Sequence, residues 1–334
     1  MSMIPLILSC LVACILSAGL VRRMVSVGVM DVPGHRSSHE RPTPKGGGVG
    51  IVTAFLIALP LDHIGLTGHL PGWSLLLPEI AIAGLAFFSW RDDIHSYPAM
   101  AKLAVQGGAA ALVVIVTLAF PEGPAALPLY LACALPGFLW LVYVTNALNF
   151  IDGLNGLASG SMALSSLGLA LLFHLDGETL LRNAALLLGC ALLAFLPFNF
   201  PRARIFMGDV GSQGAGLALS WLGLEAMLRS TAPWMPLFLL AGILGDVAFT
   251  LVRRGFAGNR LTEAHRGHLY QLAVRSGIPA PAVTLLHWGF VLWGGAIGLA
   301  PLDMPARLAL LLAPQLGWGL YVLARARRHI SGAW

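Results

Sequence analysis

The sequence predicts an all-α integral membrane protein whose helices cross the bilayer about eleven times. Of its 334 residues, 57% are hydrophobic and only 10% are charged, whereas a soluble protein has roughly 25% charged residues. The mean hydropathy is +0.80, so the chain lacks the polar surface that a water-soluble fold needs. We therefore expect a polytopic membrane protein in which a single domain covers residues 1–334.

Apolar runs long enough, or nearly long enough, to cross about 30 Å of hydrocarbon follow one another with no soluble domain between them. The predicted spans are 3–21, 47–61, 74–89, 103–120, 128–148, 157–174, 180–198, 211–228, 234–252, 282–300 and 305–324. The first is expected to be a membrane span and not a removable signal, because its basic pair, Arg22 and Arg23, follows the apolar run instead of preceding it.

The basic residues predict the orientation of these spans. Seventeen of the twenty Lys and Arg residues fall in alternate loops, and the other side has only Arg182, Arg229 and Arg307. Because Lys and Arg accumulate in cytoplasmic loops, the basic side is expected to face the cytoplasm, with the N-terminus outside and the C-terminus inside. This asymmetry also accounts for the net charge of +5, so nucleic acid is not an expected partner.

The unusual polar clusters lie in five loops on that same side, so we expect them to converge on one site at the cytoplasmic rim. These loops are DVPGHRSSHERPTPKGGG (31–48), WRDDIHSYPAMAK (90–102), NALNFIDGLNG (146–156), NFPRARIFMGDVGS (199–212) and RLTEAHRGHLYQ (260–271).

The second loop carries the adjacent carboxylates Asp92 and Asp93. Neighbouring carboxylates repel each other, which suits a general base or a cation site. The alternative is a solvated pair opposing Arg91. Lys102, nine residues after Asp93, either reaches a phosphate or extends its ammonium to the membrane surface.

The third loop repeats polar residues at Asn146, Asn149 and Asp152, a spacing that keeps them on one face of a final helical turn. The glycines that follow, Gly153 and Gly156, permit close approach of a ligand. Polar groups are costly at the hydrocarbon boundary, so a structural capping role is less plausible for the whole set than for one member.

The fourth loop places one carboxylate, Asp209, among small residues at the start of an apolar helix. Asp209 either caps that helix or binds Mg²⁺ together with substrate phosphates. Phe206 either stacks on a base or packs in the core.

In the fifth loop, His265 and His268 flank Arg266 within a basic stretch. Guanidinium groups suit phosphate; attraction to anionic lipid would explain the arginines but not the histidines. Asp246, inside the ninth predicted span, is either functional or part of a local ion pair.

Together, and in this order, the five motifs resemble those of the polyprenyl-phosphate N-acetylhexosamine-1-phosphate transferases, and they cover residues 31–271. That family includes the enzymes initiating O-antigen and enterobacterial common antigen, and phospho-N-acetylmuramoyl-pentapeptide translocase. The Arg-Ser-Ser-His stretch and the His-Arg-x-His form are most similar to the branch that starts lipopolysaccharide O-chains.

The resemblance implies a reaction in the bacterial inner membrane with the active site facing the cytoplasm. A UDP-N-acetylhexosamine and undecaprenyl phosphate would give undecaprenyl-diphospho-sugar and UMP, with Mg²⁺ required and Mn²⁺ as the alternative ion. The donor sugar (GlcNAc, QuiNAc or FucNAc) and the presence of a homodimer are left open.

The resemblance also implies roles for individual residues. Asp209 would be the metal ligand, and Asp92 would position or deprotonate the lipid phosphate with help from Asp93. The expected substrate-binding residues are Lys45, Lys102, Asn146, Asn149, Asp152, Asn155, Asn199, Phe206, His265, Arg266 and His268. Many relatives carry Asp where this chain has Asn155; an amide lacks the charge of a base, so only a binding role is expected there.

The alternative from another class is a secondary transporter or a lipid flippase. Such folds usually show two related halves and ionisable residues near the midplane. This sequence has no convincing internal repeat, and its polar motifs are expected at the cytoplasmic rim.

Overall fold

The structure is a computed structural model that describes residues 4–27, 29–31, 42–119, 127–260 and 265–330. The elements in chain order are α1 (Ile4–Val27), β1 (Val29–Asp31), β2 (Thr43–Lys45), α2 (Gly48–Thr67), α3 (Trp73–His95), α4 (Ala99–Ala119), α5 (Leu127–Phe150), α6 (Leu157–Leu175), α7 (Thr179–Asn199), α8 (Gly208–Arg229), α9 (Met235–Phe256), α10 (Leu269–Arg275), α11 (Ala280–Leu299) and α12 (Met304–His329). Residues 32–41 of the first polar motif and 261–264 of the last lie outside the described residues.

The eleven long helices of the described chain coincide with the eleven predicted spans, which confirms an all-α polytopic membrane protein. Ten of these helices are long and apolar enough to cross a membrane; α8 is the exception. Its residues Asp209, Gln213 and Glu225 lower its hydropathy. Because α8 is enclosed by other helices, those polar groups find protein partners instead of facing lipid.

Helix α8 forms the centre of the bundle. Every residue from Val210 to Ala226 is buried, and the helix packs against α2, α3, α5, α6 and α7. Small residues allow the closest of these contacts: a Cβ atom added to Gly48 in α2 would overlap the Cα of Gly211 in α8. The start of α8, which carries Asp209, is therefore fixed by its contact with the start of α2.

The structure adds two elements that the apolar pattern did not predict. The short strands β1 and β2 pair in an antiparallel hairpin, with Val29 opposite Lys45. The hairpin is tied to the segment before α8, because the Phe206 N–H donates to the Pro44 carbonyl at 2.8 Å and the Gly47 N–H donates to the Phe206 carbonyl at 2.9 Å. The second element, α10, lies in the polar segment 253–281. Both are too short and too polar to give a signal of membrane-spanning length.

The polar loops gather at one end of the bundle because consecutive long helices reverse direction. Helices α3, α5 and α7 end there, and α4, α6 and α8 begin there after short connections. Between α3 and α4 the chain turns at Ser96, which adopts a positive φ of 54°. The motifs thus come from distant parts of the sequence but meet at the same depth.

We expect Gly48→Ala to destabilise the bundle, because the new methyl group would overlap the backbone of Gly211. Overpacking of this kind costs about 1–3 kcal/mol, and thermal unfolding in detergent would measure it. Gly84→Ala is the matched control, since a Cβ at Gly84 in α3 meets nothing within 4 Å. Equal unfolding temperatures for the two variants would contradict the close α2–α8 contact.

Candidate active site

A polar cavity of about 530 Å³ opens at the end of the bundle where the five motifs meet. Its described lining residues are Asp31, Lys45, Asp93, Asn149, Asp152, Gly153, Leu154, Asn155, Asn199, Phe206, Gly208, Asp209, Gln271 and Ala280. Four of these residues are aspartates and only one is a lysine. The lining therefore carries an excess of carboxylates, which favours a cationic or cation-accompanied ligand.

On one wall of the cavity, the hairpin places Lys45 beside Asp93. The Lys45 Nζ atom lies 3.3 Å from Asp93 Oδ1, and Asp93 Oδ2 accepts from the Val210 N–H at 3.5 Å. Phe206, another lining residue, is joined to Lys45 by an isolated backbone bridge. A cation and an aromatic face are thus anchored to one backbone ladder.

Lys102, at the start of α4, lies between two carboxylates. It forms an ion pair with Asp92, and its Nζ atom is 3.8 Å from Asp209 Oδ2. The side chain of Asp92 is 4% exposed, and its Oδ1 accepts from the Tyr97 N–H at 2.7 Å. The neighbours in the sequence therefore differ in position: Asp93 lines the cavity, whereas Asp92 lies behind it against Lys102 and the backbone.

Asn149 orients Asp209 from the last turn of α5. Its Nδ2 donates to Asp209 Oδ1 at 3.1 Å and to Ser212 Oγ at 2.8 Å. Asp209 thus has an amide donor on one oxygen and the Lys102 ammonium near the other. Its first-turn position also adds the positive end of the α8 dipole, and these three features hold the Asp209 carboxyl group in place at the cavity.

The loop 151–156 forms the opposite wall and carries Asp152. Burial, with the nearby charges of Asp209 and Asp93, raises the pKa of Asp152 well above its ordinary value. This environment favours the protonated form of the Asp152 carboxyl group, and a cation bound nearby would favour the ionised form.

Asn155 and Asn199 line the cavity but also hold this wall together. The Asn199 Oδ1 accepts from the Gly156 N–H at 2.7 Å, and its Nδ2 donates to the Ile205 carbonyl at 3.0 Å. Asn155 Nδ2 donates to the Pro201 carbonyl at 3.2 Å. Both amides therefore link the loop 151–156 to the segment that precedes α8.

Asp246 anchors the histidine motif. Its carboxylate accepts from the Leu269 N–H at 2.8 Å and the Tyr270 N–H at 3.0 Å at the start of α10. His268 Nδ1 lies 3.4 Å from Asp246 Oδ1. Tyr270 then donates its hydroxyl to the Phe150 carbonyl at 2.9 Å. Asp246 therefore fixes α10 by capping its first turn, and α10 in turn holds the end of α5.

The three predicted residues of the His-Arg-x-His motif lie beside the cavity and are not among its described lining residues. His268 is 4% exposed and stacks on His265 with ring centroids 4.9 Å apart. Burial, together with nearby His268, Arg254 and Arg253, lowers the pKa of His265 to about 4. His265 is thus a neutral hydrogen-bonding group at pH 7. Arg266 is partly exposed.

Asn146 also lies away from the cavity, where its Nδ2 donates to Gln106 Oε1 at 2.6 Å. Two cavity residues with polar side chains, Asp31 and Gln271, were missed from the sequence. Each is part of a quoted motif, Asp31 as its first residue and Gln271 at the end of HLYQ. A carboxylate in the polar segment that follows the first span was the available signal for Asp31, whereas nothing in the sequence distinguished Gln271 from a solvated side chain.

The arrangement suits chemistry on phosphates. One polar space at the end of a membrane bundle is lined by Lys45 and four carboxylates. Lys102 lies next to this space, with its Nζ atom 3.8 Å from the lining carboxylate of Asp209. Lysines bind phosphate as point charges, and carboxylates hold the divalent ions that accompany phosphates.

Comparison with known proteins agrees with this chemistry. Residues 75–227, from α3 to α8, match glycosyl transferase family 4. The chain is 30% identical to the decaprenyl-phosphate N-acetylglucosaminephosphotransferase of Mycobacterium tuberculosis, over 84% of this chain and 77% of that protein. It is 26% identical to a probable undecaprenyl-phosphate N-acetylglucosaminyl 1-phosphate transferase of Bacillus subtilis, over 82% of this chain and 78% of that protein.

A third relative is the phospho-N-acetylmuramoyl-pentapeptide-transferase of a Synechococcus species. It is 33% identical over 68% of this chain and 69% of that protein. Each of these relatives is named as a transferase of a phosphate-linked group, which is N-acetylglucosamine in the first two and N-acetylmuramoyl-pentapeptide in the third.

We expect Tyr270→Phe to loosen the wall formed by residues 151–156, because it removes the hydroxyl that donates to the Phe150 carbonyl. Loss of a hydrogen bond costs about 1 kcal/mol, which corresponds to about fivefold faster amide hydrogen exchange in a locally opening segment. Hydrogen exchange with mass spectrometry would measure it. Tyr97→Phe is the control, since the structure records no hydrogen bond to the Tyr97 hydroxyl from the described residues. Unchanged exchange in Tyr270→Phe would show that the hydroxyl does not hold the loop.

Proposed function

Because this chain belongs to the polyprenyl-phosphate N-acetylhexosamine-1-phosphate transferases of glycosyl transferase family 4, we propose that it transfers N-acetylhexosamine-1-phosphate from a UDP-sugar to undecaprenyl phosphate. The products are undecaprenyl-diphospho-sugar and UMP. The observation that carries this proposal is the polar cavity at the end of a membrane bundle, which Lys45 and Asp209 line and where Lys102 lies 3.8 Å from Asp209.

In the proposed reaction, an oxygen of the lipid phosphate attacks the donor phosphorus that bears the sugar. The bond from that phosphorus to the bridging oxygen of the diphosphate breaks, and UMP leaves with the bridging oxygen. Both reactants are anionic, so positioning and charge compensation contribute more than a strong base. Asp93 faces the cavity and Asp92 holds Lys102; we therefore assign Asp93 to orienting the incoming phosphate and Asp92 to positioning Lys102.

The remaining cavity groups suit the donor. Phe206 offers an aromatic face for uracil next to Lys45, and Asn149, Asp152, Asn155 and Asn199 surround the space beside it. Neutral His265 and the Arg266 guanidinium lie shortly before α10, whose Gln271 lines the cavity. We expect them to contact the diphosphate or the sugar. The N-acetylglucosaminyl relatives favour UDP-GlcNAc as the first donor to test, with UDP-QuiNAc and UDP-FucNAc next.

We also propose Mg²⁺ as the cofactor, with Mn²⁺ as a substitute, held by Asp209. Within the described residues, no group of three or more His, Cys, Asp and Glu side chains could hold a metal by itself. This donor set fits Mg²⁺, which typically takes one or two carboxylates and completes its coordination with water and substrate phosphates. When bound, the ion would neutralise charge on the transferred phosphate.

We further propose that the reaction initiates O-antigen or another cell-envelope polysaccharide in the bacterial inner membrane, with the cavity facing the cytoplasm. The cavity lies on the side that carries most Lys and Arg residues, which supports this orientation. A cytoplasmic nucleotide sugar and a lipid phosphate in the inner leaflet could both reach such a site.

The first test is an assay of the protein purified in detergent with UDP-GlcNAc. UMP should form only when undecaprenyl phosphate and Mg²⁺ are both present, and mass spectrometry should detect the diphospholipid product. Asp209→Asn should lower turnover by at least about a hundredfold, the scale of losing one electrostatic group in an active site. The control is Asp303→Asn, because Asp303 only caps α12, at 2.9 Å from the Ala306 N–H.

Turnover by Asp209→Asn at the wild-type rate would discard the metal assignment. Uptake of substrate into proteoliposomes without a covalent product would instead favour a transporter.

The second test concerns Asp152, whose raised pKa means that it keeps a proton at pH values where an ordinary aspartate has lost it. Cation binding favours the ionised form, so Mg²⁺ should release a proton and bind more weakly as the pH falls, by up to about tenfold per pH unit. Calorimetry in two buffers of different ionisation enthalpy would count the protons. Asp152→Asn should release fewer protons than the wild type, and an unchanged count would contradict this assignment.

A further inference from the structure

Three amide side chains lie one helical turn below the active site, on the same three helices that supply its central residues. Gln106 follows Lys102 by four residues in α4, and Gln213 follows Asp209 by four residues in α8. Asn146 precedes Asn149 by three residues in α5, which runs in the opposite direction. Residues three or four positions apart share a helix face, so each amide sits beneath one site residue, on the side away from the cavity mouth.

The three amides are joined to one another. Asn146 Nδ2 donates to Gln106 Oε1 at 2.6 Å, and Gln106 Nε2 donates to Gln213 Oε1 at 3.2 Å. Gln106 is 2% exposed and Gln213 is 9% exposed. The described residues that line the cavity include none of the three. The amides therefore form a short chain of hydrogen bonds that connects α5 to α4 and α4 to α8.

We propose that Gln106, Asn146 and Gln213 form an amide triad that fixes the axial register of α4, α5 and α8. The triad acts by positioning Lys102, Asn149 and Asp209 for the reaction, and it does not touch the substrate. This inference rests on the proposed function. It changes the role expected for Asn146, which becomes a positioning residue instead of a substrate ligand.

Apolar contacts still form when one helix slides along another, whereas a hydrogen bond between two side chains requires one axial position of the helices. A shift of one helix by one residue moves its side chains by about 1.5 Å along the axis. Such a shift would break bonds of 2.6 and 3.2 Å and leave amides unsatisfied in an apolar interior, which is costly. Buried polar groups are known to specify register in this way in coiled coils.

The same shift would disturb the site directly. Lys102 Nζ lies 3.8 Å from Asp209 Oδ2, and Asn149 Nδ2 lies 3.1 Å from Asp209 Oδ1. These distances join the same three helices one turn above the triad. Because misplacement by about 1 Å can cost about a hundredfold in rate, small errors in register should lower turnover before they unfold the protein.

The chain offers a matched control for ordinary stabilisation. Thr145 Oγ1 and Ser220 Oγ are 3.3 Å apart and buried between α5 and α8, two of the helices that the triad joins. This pair lies about two turns deeper than the triad on α8. Thr145→Val removes the hydrogen bond at nearly constant volume without changing the residues directly beneath the site.

The experiment compares Gln106→Met, Asn146→Leu and Thr145→Val in the UDP-GlcNAc assay and in thermal unfolding. We expect kcat of the two triad variants to fall about tenfold or more, while KM for UDP-GlcNAc stays within about twofold of the wild type. Thr145→Val should lower the unfolding temperature by about as much as the two triad variants do, but it should keep the wild-type kcat. Gln106→Met combined with Lys102→Met should lose less than the product of the two single effects, because Gln106 acts through Lys102.

Wild-type kcat in a folded Gln106→Met variant would overturn the triad. So would a raised KM with unchanged kcat in Asn146→Leu, since that result indicates contact with the substrate. Should the apolar variants fail to fold, two polar variants keep the triad testable. Gln213→Glu keeps the acceptor for Gln106 Nε2 and should retain far more turnover than Gln213→Asn, whose side chain is one methylene shorter; equal turnover would count against the triad. Absence of turnover in the wild type would instead reject the proposed function.

Discussion

The structure depends on carboxylates that are paired with a lysine or an amide at the edge of a hydrocarbon layer. Asp92 and Asp209 lie at the ends of apolar helices, where an unpaired charge is costly. Lys102 lies between them, and Asn149 supplies a neutral donor to Asp209. This network fixes the ends of α3 and α5 relative to the starts of α4 and α8. The same groups that make the site chemically active thus also hold the helix ends that form it.

The carboxylates of the polar motifs divide into two physical classes once the fold is known. Asp93, Asp152 and Asp209 line the cavity, whereas Asp92 and Asp246 accept backbone N–H groups or an ammonium behind it. Carboxylates of the second class are nearly inaccessible. Burying a polar residue in a membrane protein costs free energy whether or not that residue contacts a ligand. The presence of a carboxylate in an apolar sequence therefore does not show which of the two classes it belongs to.

The short helix α10 links the histidine motif to the rest of the site. Its start is capped by Asp246, and Tyr270 reaches the end of α5. Gln271, on the next position, enters the cavity. Without these hydrogen bonds, little would fix the position of a basic segment between two long helices. Its attachment to α9 and α5 gives it a defined distance from the carboxylates, which a site for an extended, charged donor requires.

Composition and the lengths of the apolar runs determined the membrane fold and the eleven long helices, because the thickness of the hydrocarbon layer sets the length of a spanning helix. They also determined the end of the bundle where the polar loops gather, because successive spans place alternate loops on the same side of the membrane. Adjacent residues such as Asp92 and Asp93 could not be separated in this way. Which of them faces the cavity, where Asn146 points and how α10 docks depend on side-chain contacts between helices far apart in sequence. Only the tertiary structure decided these, because hydrogen bonds of about 3 Å respond to helix rotation and register that no local pattern encodes.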